Sequence, residues 1–266
     1  ILHNLEIDTK WELKEFPKEQ VKQSLSDNEY KNSISDDLLH FLGNPLHLFL
    51  FIKVIPHAQL TDPVTEEILY NELWRIYICD VDQNQINKKA LLELLDNMVN
   101  TMYDRQELSV HIGNYETTYN SELKYLFSNG LLILTQNGQM QFFHQTMFDY
   151  VYARRFAEHD RNLMEELKEQ HQGLFSRAAI KSILTFQRDI NTPAYKENIE
   201  KMLFDKGEDG KDIYRYHLKS LVLSNMVYFE FPKKEELDLI CRKIYDNEQY
   251  MGILFESIHN KNWFDK

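Results

Sequence analysis

The stretch Gln139–Ala157, QMQFFHQTMFDYVYARRFA, decides how the rest of the chain is interpreted. Apolar and polar residues alternate at its start, which predicts a short strand, and the residues from Gln145 onward follow helical spacing. His144 lies where the strand ends and the helix begins. The sequence therefore predicts a strand that leads directly into an amphipathic helix, with an imidazole at the junction.

The residues just before this stretch predict the partner strand of a β-hairpin. LLILTQ at 131–136 and QMQFFH at 139–144 flank Asn137-Gly138, whose residues tolerate the positive φ angles of a two-residue type I′ turn. Further upstream, the spacing of apolar residues predicts three helices and one short strand. The helices are predicted at about 65–78, 88–103 and 119–127, and the strand at 107–111. Asp62 is the predicted cap of the first helix, and Pro63 lies in its first turn. Helices followed by a hairpin wing predict a winged-helix domain over 61–160.

Two shorter apolar helices are predicted closer to the start of the chain, joined by Gly43-Asn44-Pro45. Gly43 suits the end of the first helix, where a C-terminal glycine in the left-handed conformation is common, and Pro45 suits the first turn of the second. These helices predict a small helical domain over 13–60. The alternation in Ile1–Ile7 predicts an isolated strand within 1–12, and a lone strand needs a sheet. We therefore expect the chain to be a piece of a larger protein.

Beyond His159 the chain predicts successive helices with loops that contain Gly173, Pro193, Gly207 and Pro232. Paired helices of this kind are typical of a solenoid-like helical array over 161–266. The expected fold class is therefore mainly α, with a small helical domain, a winged helix that has a β-hairpin wing, and a C-terminal helical array.

Composition narrows the classes of partner. A formal charge of −12 disfavours nucleic acid, because binding to a phosphate backbone draws on clustered Lys and Arg. Cys79 and Cys241 are far apart and match neither a disulfide framework nor a zinc site, which favours a cytoplasmic location. No apolar run of about 18 residues predicts a membrane span.

Motifs for catalysis or metal binding are weak. The nearest string to a phosphate-binding loop, Gly207 to Asp212, has an aspartate where the magnesium-binding hydroxyl belongs. Asp80-x-Asp82-x-Asn84 lacks the glycine and the closing acid of a calcium loop. His40 and His47 are seven residues apart across a helix break and do not have metal-ligand spacing. The chain is therefore not expected to be an enzyme.

The order of these elements, together with Leu42-Gly43-Asn44-Pro45-Leu46 and the segment Phe142–Tyr150, resembles the C-terminal part of STAND signalling ATPases, especially the NACHT group. That group has a Gly-x-Pro motif in its helical domain and a segment like Phe-x-His-x-Ser-Phe-x-Glu-Tyr at the end of its winged helix. This sequence departs mildly from the second motif, with Thr146, Met147 and Asp149 where serine, an aromatic residue and glutamate are usual.

The resemblance implies that Pro45 packs against the adenine and that His144 contacts the β-phosphate of bound ADP. Residues 1–12 would then be a strand of an upstream nucleotide-binding domain, the partner in cis that holds the ADP or ATP. The chain would sense the nucleotide state and autoinhibit a parent ATPase that forms homo-oligomers when activated, as in microbial defence signalling. Its helical array would bind a protein partner or ligand.

Two other functions fit the same sequence. One is a nucleotide-independent protein-interaction scaffold built from the winged helix and the helical array, in which Pro45 only begins a helix and His144 only ends a strand. The other is a winged-helix nucleic-acid binder. The helix at 119–127 has Lys124 as its one cation, whereas a groove-reading helix is rich in Arg, Lys, Asn or Gln.

Overall fold

The chain is mainly helical and contains one small antiparallel sheet. The structure, a computed structural model, describes residues 14–28, 30, 33–60, 64–159, 161–169, 176–229, 231–259 and 261–263. The predicted strand at 1–7 and the predicted cap Asp62 with Pro63 lie outside these residues. The mainly α fold class is confirmed.

The elements follow the predicted order along the chain. The helices are α1 Lys18–Asp27, α2 Asp36–Phe41, α3 Pro45–Val54, α4 Glu66–Trp74, α5 Lys88–Arg105, α6 Glu116–Ser128, α7 Gln145–Glu158, α8 Leu163–Glu169, α9 Ser176–Ile190, α10 Thr192–Phe204, α11 Tyr216–Tyr228, α12 Lys234–Leu239 and α13 Glu248–Ser257. The strands are β1 Val110–His111, β2 Leu132–Leu134 and β3 Gln139–Phe142. Single π-helical turns, Arg75–Cys79 and Ile240–Ile244, extend α4 and α12.

The chain divides into two compact units. The first comprises Ile1–Leu92, as far as it is described, with Ser121–Tyr125. The second comprises Glu93–Asn120 and Leu126–Lys266, within the same limit. Among the described residues, none of the helices has the length and apolar character needed to cross a lipid bilayer.

The turn between α2 and α3 has a glycine, Gly43, at a point where other backbone atoms approach closely. Helix α2 ends in the right-handed conformation at Leu42, and Gly43 is not among the described glycines with positive φ. The helix therefore stops just before Gly43, as the sequence predicts, but without a glycine in the left-handed conformation. The amide N–H of Phe16 donates to the carbonyl oxygen of Gly43 at 2.7 Å, so a second stretch of backbone crosses this turn. A Cβ on Gly43 would lie 3.0 Å from the carbonyl oxygen of His40.

The sheet has the order β1-β3-β2, with Val110 opposite Met140 and Ile133 opposite Gln141. Its tight turn differs from the prediction. Thr135 and Gln139 close the loop, because the N–H of Thr135 donates to the carbonyl of Gln139 at 2.7 Å. Three residues therefore lie in the turn. Gly138 alone among them has a positive φ, 70°.

This geometry matches a type I turn followed by a left-handed glycine, which also gives the strands the right-handed twist they need. The predicted two-residue type I′ turn is wrong. A type I′ turn requires two consecutive positive φ angles, and Asn137 is not among the described residues with positive φ.

Helix α7 lies in the core of the second unit. Its buried residues include Phe148, Tyr152 and Phe156, which stack one above another along the helix. The ring of Phe148 meets Phe142 of β3 at a centroid distance of 6.4 Å, and the ring of Tyr152 stacks on Tyr103 of α5 at 4.2 Å. The helix also packs along α9. It therefore joins the sheet to the C-terminal helices.

A buried ion pair holds the C-terminal helices in register. The carboxylate of Glu236, in the first turn of α12, is fully buried. It accepts hydrogen bonds from the guanidinium of Arg188 on α9, the hydroxyl of Tyr195 on α10 and the backbone N–H of Lys233. Burial raises the pKa of the Tyr195 hydroxyl, so the hydroxyl stays protonated and remains a donor. The pair is fully hydrogen-bonded, which a buried carboxylate requires.

Substitution to alanine is expected to have opposite effects at Gly43, where backbone atoms are close, and at Gly252, where space is open. Gly43→Ala is expected to lower the free energy of unfolding by about 1–3 kcal/mol, because the new methyl group meets backbone atoms that cannot move aside. Gly252→Ala, in α13, is expected to raise it by up to about 1 kcal/mol, because alanine favours a helix and no atom lies within 4 Å of its Cβ position. Urea unfolding followed by circular dichroism measures both. Equal effects of the two substitutions on the free energy of unfolding would contradict the close approach at Gly43.

Candidate functional site

Pro45 begins α3 and belongs to a turn that is satisfied locally. Asn44 is the N-cap, and its side-chain oxygen accepts from the N–H of Leu46 at 2.9 Å. The proline ring has no N–H to satisfy at the first helical position and is half-buried. Its uncovered part is a rigid apolar surface that could contact a flat ring system.

The histidines near Pro45 have structural contacts. The ring of His47 stacks on Phe41 at 4.1 Å, and its Nδ1 lies 3.0 Å from the carbonyl oxygen of Phe41. Its Nε2 lies 3.5 Å from a carboxylate oxygen of Glu66. His40 is exposed. Within the described ranges, no group of three His, Cys, Asp or Glu side chains could hold a metal ion.

The acidic string at the end of α4 is also used locally. Asp80 forms an ion pair with Arg75 at 2.6 Å. Asp82 accepts hydrogen bonds from the backbone and side-chain amides of Asn84 at 3.0 and 3.1 Å. Such contacts are typical of an Asx turn. The side chains of Asp80 and Asp82 therefore take part in an ion pair and a local turn.

His144 is the N-cap of α7, and its ring is exposed. Its Nδ1 accepts from the backbone N–H of Thr146 at 3.2 Å and lies 2.9 Å from the Thr146 hydroxyl oxygen. An Nδ1 that accepts from a backbone N–H carries no proton itself, so in this arrangement a neutral ring holds its proton on Nε2. No polar atom of the described residues is hydrogen-bonded to Nε2. The junction therefore presents an N–H donor to solvent.

The position of His144 favours the same arrangement electrostatically. The 14-residue helix that begins at Gln145 has a partial positive charge at this end, which favours an anion nearby. A neutral imidazole that donates from Nε2 is suited to a phosphate oxygen. Sequence reasoning predicted the residue and the junction, but not that Nδ1 would be used as the cap.

Asp149, at the acidic position of the same motif, is buried in the second unit. Only 8% of its surface is exposed. None of the described residues donates a hydrogen bond to its carboxylate, and the charge that acts on it is Lys181 of α9. Burial raises the pKa of Asp149 to about 6, and the attraction of Lys181 offsets only part of that effect. Sequence reasoning compared Asp149 only with the motif and did not predict its burial.

The C-terminal end of α7 is held by an ion-pair cluster that the sequence did not indicate. The guanidinium of Arg155 makes two hydrogen bonds with the carboxylate of Asp96 on α5, at 2.6 and 2.7 Å, and Nε2 of His159 lies 3.1 Å from the same carboxylate. Burial alone would raise the pKa of Asp96, but the hydrogen bonds from Arg155 and His159 outweigh it and lower the pKa. Asp96 and Arg155 are 59 residues apart in the chain, so no local sequence pattern could predict that they pair.

The two residues singled out by the motifs belong to different units. Pro45 lies in the first and His144 in the second. The chain matches no protein-family model and no curated protein.

The environment of Asp149 predicts a pH-dependent stability. Its folded pKa of about 6 lies above the ordinary value of 3.8, so the stability contributed by the protonated form is fully present below about pH 4 and is lost as the pH rises through 6. The loss amounts to about 3 kcal/mol at most. Asp149→Asn is expected to match the unaltered protein near pH 4 and to be more stable than it at pH 8.

Urea unfolding at pH 4, 5, 6, 7 and 8 measures this difference. Asp104→Asn is the matched control, because it removes the same charge from an exposed position of α5. The difference between Asp149→Asn and the unaltered protein should grow with pH, whereas that of the control should stay nearly constant. Parallel curves for both variants would disprove the effect.

Proposed function

We propose that this chain is the nucleotide-state-sensing, autoinhibitory part of a STAND ATPase of the NACHT group, acting in the cytoplasm in microbial defence signalling. In this proposal a nucleotide-binding domain in the same polypeptide holds ADP or ATP. The chain contributes Pro45 against the adenine and His144 against the β-phosphate. The parent protein hydrolyses ATP and oligomerises when activated, and the chain supplies no catalytic residue.

The order of elements supports the proposal. Helices α2 and α3 fit the helical domain with its Gly-Asn-Pro turn, and α4 to α6 with the sheet and α7 fit a winged helix whose wing is the hairpin β2–β3. Helices α8 to α13 fit a helical array that receives a protein partner or ligand. The four segments would be 1–12, 13–60, 61–160 and 161–266.

The observation that carries the proposal is the state of His144. Its Nδ1 is engaged by Thr146, its Nε2–H faces solvent, and it stands at the positive end of α7. A hydrogen bond to a charged phosphate contributes about 1.5–3 kcal/mol, enough to separate an ADP-bound closed state from an open one. Exchange of ADP for ATP would move the winged helix and withdraw this donor.

A second candidate, a nucleotide-independent interaction scaffold, is favoured by a different observation. Among the described residues of the array, five aromatic side chains are more than half exposed: Tyr216, Tyr228, Phe231, Tyr245 and Phe255. Exposed aromatic side chains are typical of protein-binding surfaces. Under this second function, the full-length protein retains no nucleotide.

The role of His144 is tested in the full-length parent protein by two substitutions. His144→Ala removes both the helix cap and the N–H donor. His144→Asn keeps a good N-cap but has no N–H donor at the position of the imidazole Nε2. Both variants are expected to release ADP about 10–100 times faster than the unaltered protein, with ATP turnover kept or raised. Release of a fluorescent ADP analogue and ADP content after purification measure this.

The control for these variants is His111→Asn. His111 also accepts from a backbone N–H two residues ahead, that of Gly113, at 3.1 Å, but it lies in β1. The His111→Asn variant should therefore release ADP at the same rate as the unaltered protein. ADP release that is unaltered in His144→Asn would refute the sensing role, and a full-length protein that retains no nucleotide would favour the scaffold.

A further inference from the structure

A groove with charged walls lies among the C-terminal helices, between α10 and the C-terminal end of α12. Its volume is about 270 Å³, and it opens to solvent. One wall belongs to α10, and the other belongs to α12 and to the π-helical turn Ile240–Ile244 that extends it. The side chains that line the groove are Lys196, Glu200, Asp238, Leu239, Arg242 and Lys243. The groove therefore brings three cations and two carboxylates around one buried leucine.

The π-helical turn supplies two of the three cations. The N–H of Tyr245 donates to the carbonyl oxygen of Ile240 at 2.8 Å, which is five residues back rather than the four of an α-helix. Single turns of this kind are rare and are frequently found at functional sites. Arg242 and Lys243 both belong to this turn and both line the groove. The irregular stretch of the helix is therefore the stretch that faces the cavity.

One carboxylate of the groove is neutralised by a lysine of the opposite wall. The ammonium group of Lys243 donates to the carboxylate of Glu200 at 3.0 Å. The ammonium group of Lys196 is 4.0 Å from the same carboxylate, which is too long for a hydrogen bond. Lys243 therefore satisfies Glu200, and Lys196 can turn toward another anion in the groove.

The other carboxylate and the guanidinium are not paired in this way. Within the described part of the chain, neither Asp238 nor Arg242 makes a hydrogen bond or an ion pair. They are four residues apart, a spacing at which an acidic and a basic side chain on one helix commonly pair. Leu239, which is only 3% exposed, gives this wall its apolar part. The wall therefore presents an uncompensated negative charge and an uncompensated positive charge side by side.

We propose that this groove binds an α-amino acid, with the carboxylate of the ligand on Arg242 and its ammonium group on Asp238. A guanidinium binds a carboxylate through two parallel N–H···O hydrogen bonds, which fixes the orientation of the ligand. Lys196 adds a second positive charge beside the same carboxylate from the opposite wall. The side chain of the ligand can then lie against Leu239. The inference does not depend on the proposed nucleotide sensing.

The mixture of charges disfavours simpler ligands. A bare anion would lie beside Asp238 and Glu200, and a bare cation would lie beside three positive side chains, so each would meet like charges. An α-amino acid carries both charges on one carbon and matches the two unpaired groups of the wall. Size disfavours nucleotides and longer peptides, because pockets for drug-sized ligands measure about 300–1,000 Å³. A groove of about 270 Å³ suits a single amino acid.

The first test varies the ligand. The twenty standard α-amino acids are added singly to the ¹⁵N-labelled protein, and shifts of the backbone amide signals of Ile240–Ile244 give the dissociation constants. The lysines of the groove are about half exposed, so water weakens their contacts with the ligand. We therefore expect the best amino acid to bind with a dissociation constant of about 0.1–10 mM.

The amino acid that binds best is then compared with two of its derivatives. N-acetylation removes the ammonium charge, and methyl esterification removes the carboxylate charge. Each derivative is expected to bind about tenfold more weakly than the free amino acid, because each loses one charge-assisted hydrogen bond. A ligand held by only one of its charges would be sensitive to only one of these changes.

The second test varies the protein. Arg242→Gln and Asp238→Asn each remove one of the unpaired charges and are expected to weaken binding about tenfold. Lys234→Gln is the matched control for Arg242→Gln, because it removes the same charge from an exposed position of α12 that does not line the groove. The control should bind the amino acid as tightly as the unaltered protein. All three variants should keep the circular dichroism spectrum of the unaltered protein.

Three results would overturn the proposal. The first is a set of amide signals that no amino acid shifts at the highest concentration reached. The second is an N-acetyl derivative that binds as tightly as the free amino acid, because the groove would then accept a simple anion. The third is equal weakening in Lys234→Gln and Arg242→Gln, which would assign the effect to the overall charge of the protein.

Discussion

Burial of helix α7 is the constraint on which the rest of the second unit depends. Eight of its residues are buried, and they face the sheet on one side and α9 on another. Because this helix is packed on so many sides, its first turn cannot shift without disturbing the core. His144 is therefore held at a fixed end of a fixed helix, with its Nδ1 used for capping and its Nε2–H free to donate to a partner outside the described chain.

The same burial has an unfavourable side at Asp149. A carboxylate that is almost fully enclosed, and to which no described residue donates a hydrogen bond, loses hydration that Lys181 replaces only in part. The contrast with Glu236 is instructive, because that carboxylate is more deeply buried yet accepts four hydrogen bonds. One buried acid therefore holds helices in register, while the other makes the α7–α9 contact sensitive to its protonation state.

Charge is distributed unevenly along the chain. Residues 1–160 contain 24 acidic and 13 basic side chains, whereas residues 161–266 contain 18 and 17. The hairpin lies in a neutral interval inside the acidic part. The charge-free stretch Tyr125–Phe148 therefore interrupts the more acidic part of the chain.

Local patterns in the sequence determined the elements of this protein. Period-3.6 spacing predicted a helix at 88–103 where the structure has Lys88–Arg105, and the alternation in Gln139–Phe142 predicted a strand directly before α7. Pro45 and Asn44 determined where α3 begins, because proline at the first position and an Asn cap act within a single turn. The motif comparison also singled out His144 from residues that are adjacent in sequence.

Only the tertiary structure decided the features that depend on distant residues. The turn at Asn137-Gly138 took one positive φ angle because a three-residue loop closed the strands. A Cβ on Gly43 is disfavoured because the backbone oxygens of His40 and Phe16 would lie 3.0 and 3.4 Å from it. The pairing of Arg155 with Asp96, like the burial of Asp149, joins residues from separate helices. A sequence pattern shows which face of a helix or strand is apolar, but not which other element packs against that face. The ion pairs and close backbone approaches depend on that packing, so they cannot be predicted from the pattern.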